Sequence, residues 1–396
     1  MMSLKIRFKR RITASELLIF FGLFSFFRPT IFEKYTLTNA FFNALLIADF
    51  VVIDILYVIR RNRVSDTFFI FVLLFYAVMV YSTVVNSGSI SRMLQFVLLG
   101  ISSVIFVRFA FQYGFLFSCN VMRSLAWIYV FLNILSLIIF PGGITQTGNS
   151  SAPVFFLGQT TRYAYFYFPA LLFCYLGDEY EFGKISPNTV CLYIICLITL
   201  IQGWAVGSLI ALLLFIPFFL LGKKKIFNSI LYFIIQVSSF IALTFFSIQN
   251  LFAGFIINYL HKDITMSSRT IIWNRAFEAL KNKPVFGIGI LSNDNMHDLL
   301  GFVHVHNHLL QVLLQCGYVG LVLFLLILLG SYIRLHKNRD YFPAKVLAFF
   351  IFTVGIQLLV DTVDGVRNHY LFMITMGAAF PLIRQQLAEN HGEYEQ

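Results

Sequence analysis

The sequence predicts an all-α, polytopic membrane protein, and three observations carry that reading. Of 396 residues, 59% are hydrophobic and only 12% charged, with a mean hydropathy of +0.81, far outside the composition of soluble domains. Apolar stretches recur from Leu17 to Ile383, many near the ~20 residues a helix needs to cross the hydrocarbon. The charges gather in short basic clusters between those stretches. The net charge of +11 therefore points to membrane topology, which Lys and Arg set, and excludes a nucleic-acid partner.

In chain order the stretches place twelve spans at 13–32, 37–59, 66–86, 92–112, 120–140, 162–177, 188–203, 206–222, 227–247, 316–335, 343–361 and 367–385. Lys5, Arg7, Lys9, Arg10 and Arg11 precede the first, so the positive-inside rule puts the N-terminus in the cytoplasm. That first run ends in Phe26-Phe27-Arg28-Pro29 with no small-x-small cleavage site, and reads as an uncleaved helix rather than a secretory signal. Arg60, Arg61 and Arg63, then Arg108 and Arg123, Lys184, Lys223 to Lys225, Arg334, Lys337, Arg339, Lys345 and Arg384 all then fall inside, as does the C-terminus. Arg28, Lys34, Arg92, Arg162, Lys262, Arg269, Arg275, Lys281, Lys283 and Arg367 are left outside. Asp49 and Asp54 in the second span read as helix-helix polar contacts ahead of proton-relay groups. Cys119, Cys174, Cys191, Cys196 and Cys316 form no CxxC pair and read as small core residues. Asn149-Ser150-Ser151 fits a weak glycosylation sequon.

Residues 248–315 form the one long polar excursion, far beyond the ~2 to 8 residues usual between bundle helices. Long ordered loops on rigid scaffolds commonly carry function. The chain thus divides into an N-terminal transmembrane bundle of about nine spans at 1–247, an extracytoplasmic loop at 248–315 and C-terminal transmembrane helices with a short cytoplasmic tail at 316–396. Within the loop, Ser267-Ser268-Arg269 offers a helix start, and Ile272, Trp273, Ala276, Phe277 and Leu280 recur at helical spacing until Lys283-Pro284. This predicts an amphipathic helix lying on the membrane surface, Trp273 at headgroup level. Pro284 to Ile290 follows as a turn in which Gly287 and Gly289 allow close backbone approach. It carries neither GxGxxG nor a Walker lysine, which excludes a nucleotide loop.

His304, His306 and His308 then stand within five residues, just before an apolar helix that continues through Gly317 and Gly320. A histidine suits proton transfer near neutral pH, so one of them is a candidate general base for an acceptor hydroxyl. The three are also candidates for a metal such as zinc, though no HExxH or DxD accompanies them, or for polar residues at an interface. Residue types alone leave base and interface level and rank metal third. Arg269 and Arg275 share the loop, and Arg367 returns to the same face; gathered cations suit an anionic headgroup, because arginine forks pair with phosphate. Arg275 alternatively pairs with Glu278. Asp361 and Asp364 stand beside Arg367 at span ends, where an ionisable group is either functional or part of a pair that fixes the hairpin.

At this point the residues resemble the O-antigen ligase and polymerase superfamily, membrane glycosyltransferases that join glycans carried on polyprenyl pyrophosphate. His306-Asn307, nine residues and Gly317-Tyr318-Val319-Gly320 match the family's His-Asn and Gly-x-x-Gly spacing. Arg269 and Trp273, followed by Pro284 and Gly287-Ile288-Gly289, are similar to its upstream pattern, and Asp361 six residues before Arg367 is similar to its last outer turn. One departure stands out: where many members carry an arginine in the turn before the eighth span, this chain reads Gly203-Trp204-Ala205-Val206-Gly207-Ser208.

The resemblance implies a GT-C-like architecture, with His306 as base, Arg269, Arg367 or Arg162 as pyrophosphate ligands and Asp361 orienting them. It implies Asn307 positioning the histidine or acceptor, and His304, His308 and Trp273 supporting the substrate site. Transfer would be metal-independent and inverting, with no cofactor. The donor would be an undecaprenyl-pyrophosphate-linked glycan in a bacterial cytoplasmic (inner) membrane, amid membrane lipids and with a polysaccharide chain-length regulator as partner. A polymerase of O-antigen, capsule or exopolysaccharide repeat units is expected first, because the turn arginine is missing. A ligase transferring the glycan to lipid A core or protein is the alternative. A lipid-linked oligosaccharide flippase can share the span layout, but transporters place ionisable groups near the bilayer midplane, whereas this chemistry sits in one outer loop.

Overall fold

The computed structural model describes residues 12–60, 66–146, 152–222, 227–246, 269–363 and 367–391, with the single positions 224, 248, 254 and 258. The N-terminal basic cluster, Arg61, Arg63, the Asn149 sequon, Lys223, Lys225, Lys262, Ser267, Ser268 and Asp364 lie outside the described residues.

The chain is an all-α, polytopic membrane protein. Its helices are α1 (Ala14–Phe26), α2 (Thr36–Ile59), α3 (Thr67–Val85), α4 (Ile90–Tyr113), α5 (Phe115–Ile139), α6 (Ala164–Phe182), α7 (Pro187–Gln202), α8 (Val206–Leu213), α9 (Phe215–Leu221) and α10 (Ser229–Phe246). After the polar excursion come α11 (Arg269–Leu280), α12 (Asn293–Leu300), α13 (His308–Lys337), α14 (Phe342–Gln357), α15 (His369–Ala378) and α16 (Phe380–His391). The described strands are Thr145–Gln146 and Pro153–Val154, which pair antiparallel. Among the described residues, α2, α3, α4, α5, α10 and α13 are long and apolar enough to cross a membrane, and α1, α7, the α8–α9 pair and α14 are shorter apolar helices. The expected stretches all fall on helices; the eighth is divided at Leu214 and the twelfth at Ala379. The tenth expected span lies in α13, which starts at His308 and breaks at Gly317.

Caps set several helix ends. Thr13 and Glu16 form a capping box at α1, and the Asp66, Ser186 and Asn368 side chains accept from Phe69, Thr189 and Leu371 N–H at α3, α7 and α15, satisfying donors a helix N-terminus leaves open. Interior faces pack as an aromatic lattice, Phe215 on Phe350 and Phe218 on Phe349 each at 4.1 Å between centroids. Outer faces expose large apolar residues such as Leu37, Val58, Ile138 and Leu220, as lipid contact requires.

Two sets of polar contacts fix the ends of the bundle. At one, the Ser82 hydroxyl donates to the Gln315 carbonyl at 3.0 Å and the Asn86 amide to Gly287 at 3.0 Å, tying α3 to the polar excursion. At the other, Arg108 of α4 donates to both Asp66 oxygens at 2.9 and 2.8 Å, and Arg334 of α13 to Asp66 at 2.8 Å. Of the basic residues assigned inside, Arg108 and Arg334 thus share the end away from the loop. In the second helix Asp54 accepts from the Ser102 hydroxyl at 2.6 Å, a helix-helix contact as expected.

Asp66, expected as the first residue of the third span, is instead the N-cap just before the span-length helix Thr67–Val85. Burial works to raise its pKa, but the Phe69 amide and Arg108 outweigh burial and leave it lowered. A carboxylate with a depressed folded pKa stabilises the protein above its unfolded value of about 3.9 and loses that contribution as pH falls through the folded value. Asp66→Asn is therefore expected to cost about 1.5 to 3 kcal/mol at neutral pH, the worth of hydrogen bonds to a charged group. Melting curves of purified wild type and variant should converge as the buffer is acidified below pH ~4. A gap that stays constant with pH would show that the carboxylate charge does not clamp α3, α4 and α13.

Candidate active site

The polar excursion is held by backbone. The Pro284–Ile290 turn lies against α13 where that helix breaks at Gly317 (φ 65°, ψ −169°). Ile288 and Gly289 N–H donate to Leu314 and Gln315 at 2.9 and 3.0 Å, and Tyr318 and Val319 N–H to Pro284 and Val285 at 2.9 and 3.1 Å. Gly287 and Gly289 have φ of 74° and 79°, and a Cβ on Gly287 would come within 2.6 Å of the Gly317 nitrogen. The glycines thus serve backbone on backbone.

That frame grips His306 from both sides. Asn307, fully buried, caps α13 by accepting from Leu310 N–H at 3.1 Å and donates its amide to the Thr244 hydroxyl at 3.1 Å. Val305 donates its N–H to the Gln311 side chain at 3.0 Å, and its carbonyl accepts from the Trp273 indole at 2.9 Å. His306 between them has φ 54°, a left-handed conformation uncommon for a side-chain-bearing residue. Such conformations persist where surrounding structure over-determines them, and cluster at functional sites.

The grip corrects two expectations. Trp273 does not face lipid headgroups: it is 2% exposed, because α11 turns its apolar face onto the loop's own core. Arg275 donates to the Leu300 carbonyl at 2.9 Å, while Glu278 pairs with Lys281, so the expected Arg275–Glu278 pair is not formed.

The His306 ring lines a cavity of about 430 Å³ together with Arg162, Arg269, His304 and Asp361. Five residues picked from distant parts of the sequence share one wall. The His304 and His306 rings are 4.0 Å apart at 70°. His308 turns away, buried against Phe324 and Tyr370, so the three histidines do not face one point. Asp361 accepts from the Tyr165 hydroxyl at 3.3 Å, and Tyr165 also donates to Thr362 at 2.9 Å. Arg367 is placed elsewhere, donating to the Phe26 and Arg28 carbonyls at 2.8 and 3.1 Å and pairing with Glu33. The expected Asp361–Arg367 pairing is thereby replaced.

Sequence reasoning passed over Tyr165 and Gln357 on this wall and noted Trp204 only for the arginine it displaces. Trp204 lines the same cavity, 48% exposed and with φ 46°. Its signal was that departure in the Gly203–Ser208 turn. A half-exposed indole on the wall of this cavity offers an apolar face with one N–H donor, a surface that sugar C–H groups fit.

These features define a membrane protein whose polar chemistry is gathered at one end of a helical bundle, on a loop pinned to the scaffold. The family model described as O-antigen ligase matches residues 188–325, from α7 past the Gly317 break, and over that stretch the chain is similar to that family. No curated protein matches the sequence. The matched stretch contains Trp204, Arg269, His304 and His306; Arg162 and Asp361 join them from outside it.

Proposed function

We propose that the protein is a glycosyltransferase that polymerises undecaprenyl-pyrophosphate-linked repeat units on the outer face of a bacterial cytoplasmic membrane, with His306 as general base. The observation that carries this is the convergence of His306 with Arg162, Arg269 and Asp361 on one cavity wall. The His306 ring takes the proton of an acceptor sugar hydroxyl, a poor nucleophile until deprotonated. That oxygen forms a bond to the donor's anomeric carbon from the face opposite the leaving group, and the bond from that carbon to the pyrophosphate oxygen breaks, inverting the centre. Arg162 and Arg269 neutralise the charge growing on the departing pyrophosphate. Asp361 orients Tyr165 and the local cations, and Trp204 supports the sugar. No step calls for a metal or cofactor. The outward placing of the loop is supported by the basic residues Arg108 and Arg334 at the other end of the bundle, since positive charge marks the cytoplasmic side.

The ligase reading has its own support, since the matching family model is described as O-antigen ligase. Trp204 in place of the turn arginine favours the polymerase. The two differ in acceptor, so glycan profiling of a deletion strain separates them. Single repeat units on the final acceptor are expected; full-length polymer stranded on undecaprenyl pyrophosphate would establish a ligase, and an unchanged ladder would overturn both readings.

A further inference from the structure

We propose that a second cavity, beside the first, is a subsite for a carboxylate-bearing sugar of the glycan; this rests on the glycosyltransferase reading above. The cavity has a volume of about 450 Å³, within the ~300 to 1,000 Å³ usual for ligand pockets. It is bounded by the end of α1 and the starts of α2, α4, α6 and α15, the end of the bundle that carries the loop. Arg162 and Tyr165 line both cavities, so one glycan can pass from the His306 wall into the second space.

The second wall is built for an anion. Arg28, Arg92, Arg162 and Arg367 line it, and Glu33 is the one carboxylate among its described lining residues. Glu33 is shared, paired with Arg367 and 3.7 Å from Arg28. Arg28 is 5% exposed. Its Nη2 donates to the Asn39 and Asn43 side-chain oxygens, each at 2.9 Å, while its Nε and Nη1 are buried with no hydrogen-bond partner among the described residues. Buried guanidinium N–H groups are costly unless a partner arrives, and a carboxylate presented to this cavity supplies one.

The rest of the lining favours a sugar over a bare anion. Gln95 offers an amide to hydroxyl groups, and Phe96 and Phe166 offer aromatic faces. The donor's pyrophosphate is a poorer occupant, because it must adjoin the reacting carbon at His306, and His306 does not line this cavity.

The test uses the full-length protein in lipid nanodiscs and three probes: tri-galacturonic acid, a neutral galactose trisaccharide and inorganic pyrophosphate. Wild type is expected to bind the acidic trisaccharide about tenfold to a hundredfold more tightly than the neutral one, the range one charge-assisted contact supports. Arg92→Gln, on the cavity wall where Arg92 also donates to the Leu291 carbonyl at 2.8 Å, should erase that preference and leave pyrophosphate binding intact. Equal wild-type affinity for the two trisaccharides overturns the proposal without any variant. Loss of pyrophosphate binding in Arg92→Gln, measured on protein with unchanged melting temperature, also overturns it and assigns the cavity to the donor's leaving group. Because these are binding measurements, an acid preference that survives a failed deletion-strain test would keep the site while removing the glycosyltransferase reading.

Discussion

His306→Ala is expected to lower glycan transfer by about 10²- to 10⁴-fold, the contribution of a positioned general base, at unchanged membrane abundance. Alanine changes two things here, however, because His306 holds a left-handed backbone at φ 54°. His306→Asn separates them: asparagine is enriched in that conformation and can keep the loop's path while removing the base. Both variants should lose transfer to the same extent, read as initial rates with a purified lipid-linked donor. If His306→Asn retained nearly wild-type transfer, the ring would be a backbone-shaping residue and the base would have to be sought elsewhere, His304 first, since its ring lies 4.0 Å away.

Much of the scaffold was legible because bilayer physics writes a strong pattern: apolar stretches of spanning length separated by short basic clusters. The candidate site was legible in part for the same reason. The positive-inside reading left Arg162, Arg269, Arg28, Arg92 and Arg367 on the outer side, and each of them lines at least one of two adjoining cavities. Which cation joins which cavity was not legible, since Arg367 is drawn to Glu33 and two carbonyls by contacts spanning most of the chain. Trp273 was misplaced for a physical reason: helical periodicity shows that α11 has an apolar face but not what covers it. The cover is the loop's own core, with the Val305 carbonyl satisfying the indole. Tyr165 was missed because nothing local marks it; its role appears only when α6 and the end of α14 bring its hydroxyl to Asp361.

The spacing between His306-Asn307 and Gly317 has a structural reason, and it predicts the second large effect. Asn307 fixes where α13 begins, and Gly317 fixes, about 15 Å further along at 1.5 Å per residue, where the Pro284–Ile290 turn docks. At φ 65°, ψ −169° Gly317 occupies a region open essentially to glycine alone, and an added Cβ would run into the Val285 carbonyl. Gly317→Ala therefore combines backbone strain of about 1 to 3 kcal/mol with overpacking of similar size, a large fraction of the 5 to 15 kcal/mol that typically holds a fold. Loss of folded protein from the membrane is expected, along with transfer. Gly330→Ala on the same helix is the control, because its nearest neighbour, Phe68, is at an ordinary 3.8 Å and alanine favours a helix interior. Should Gly317→Ala accumulate, melt and transfer like Gly330→Ala, α13 would not need its break. The docking of the turn against it would then not be what holds His306 over the cavity.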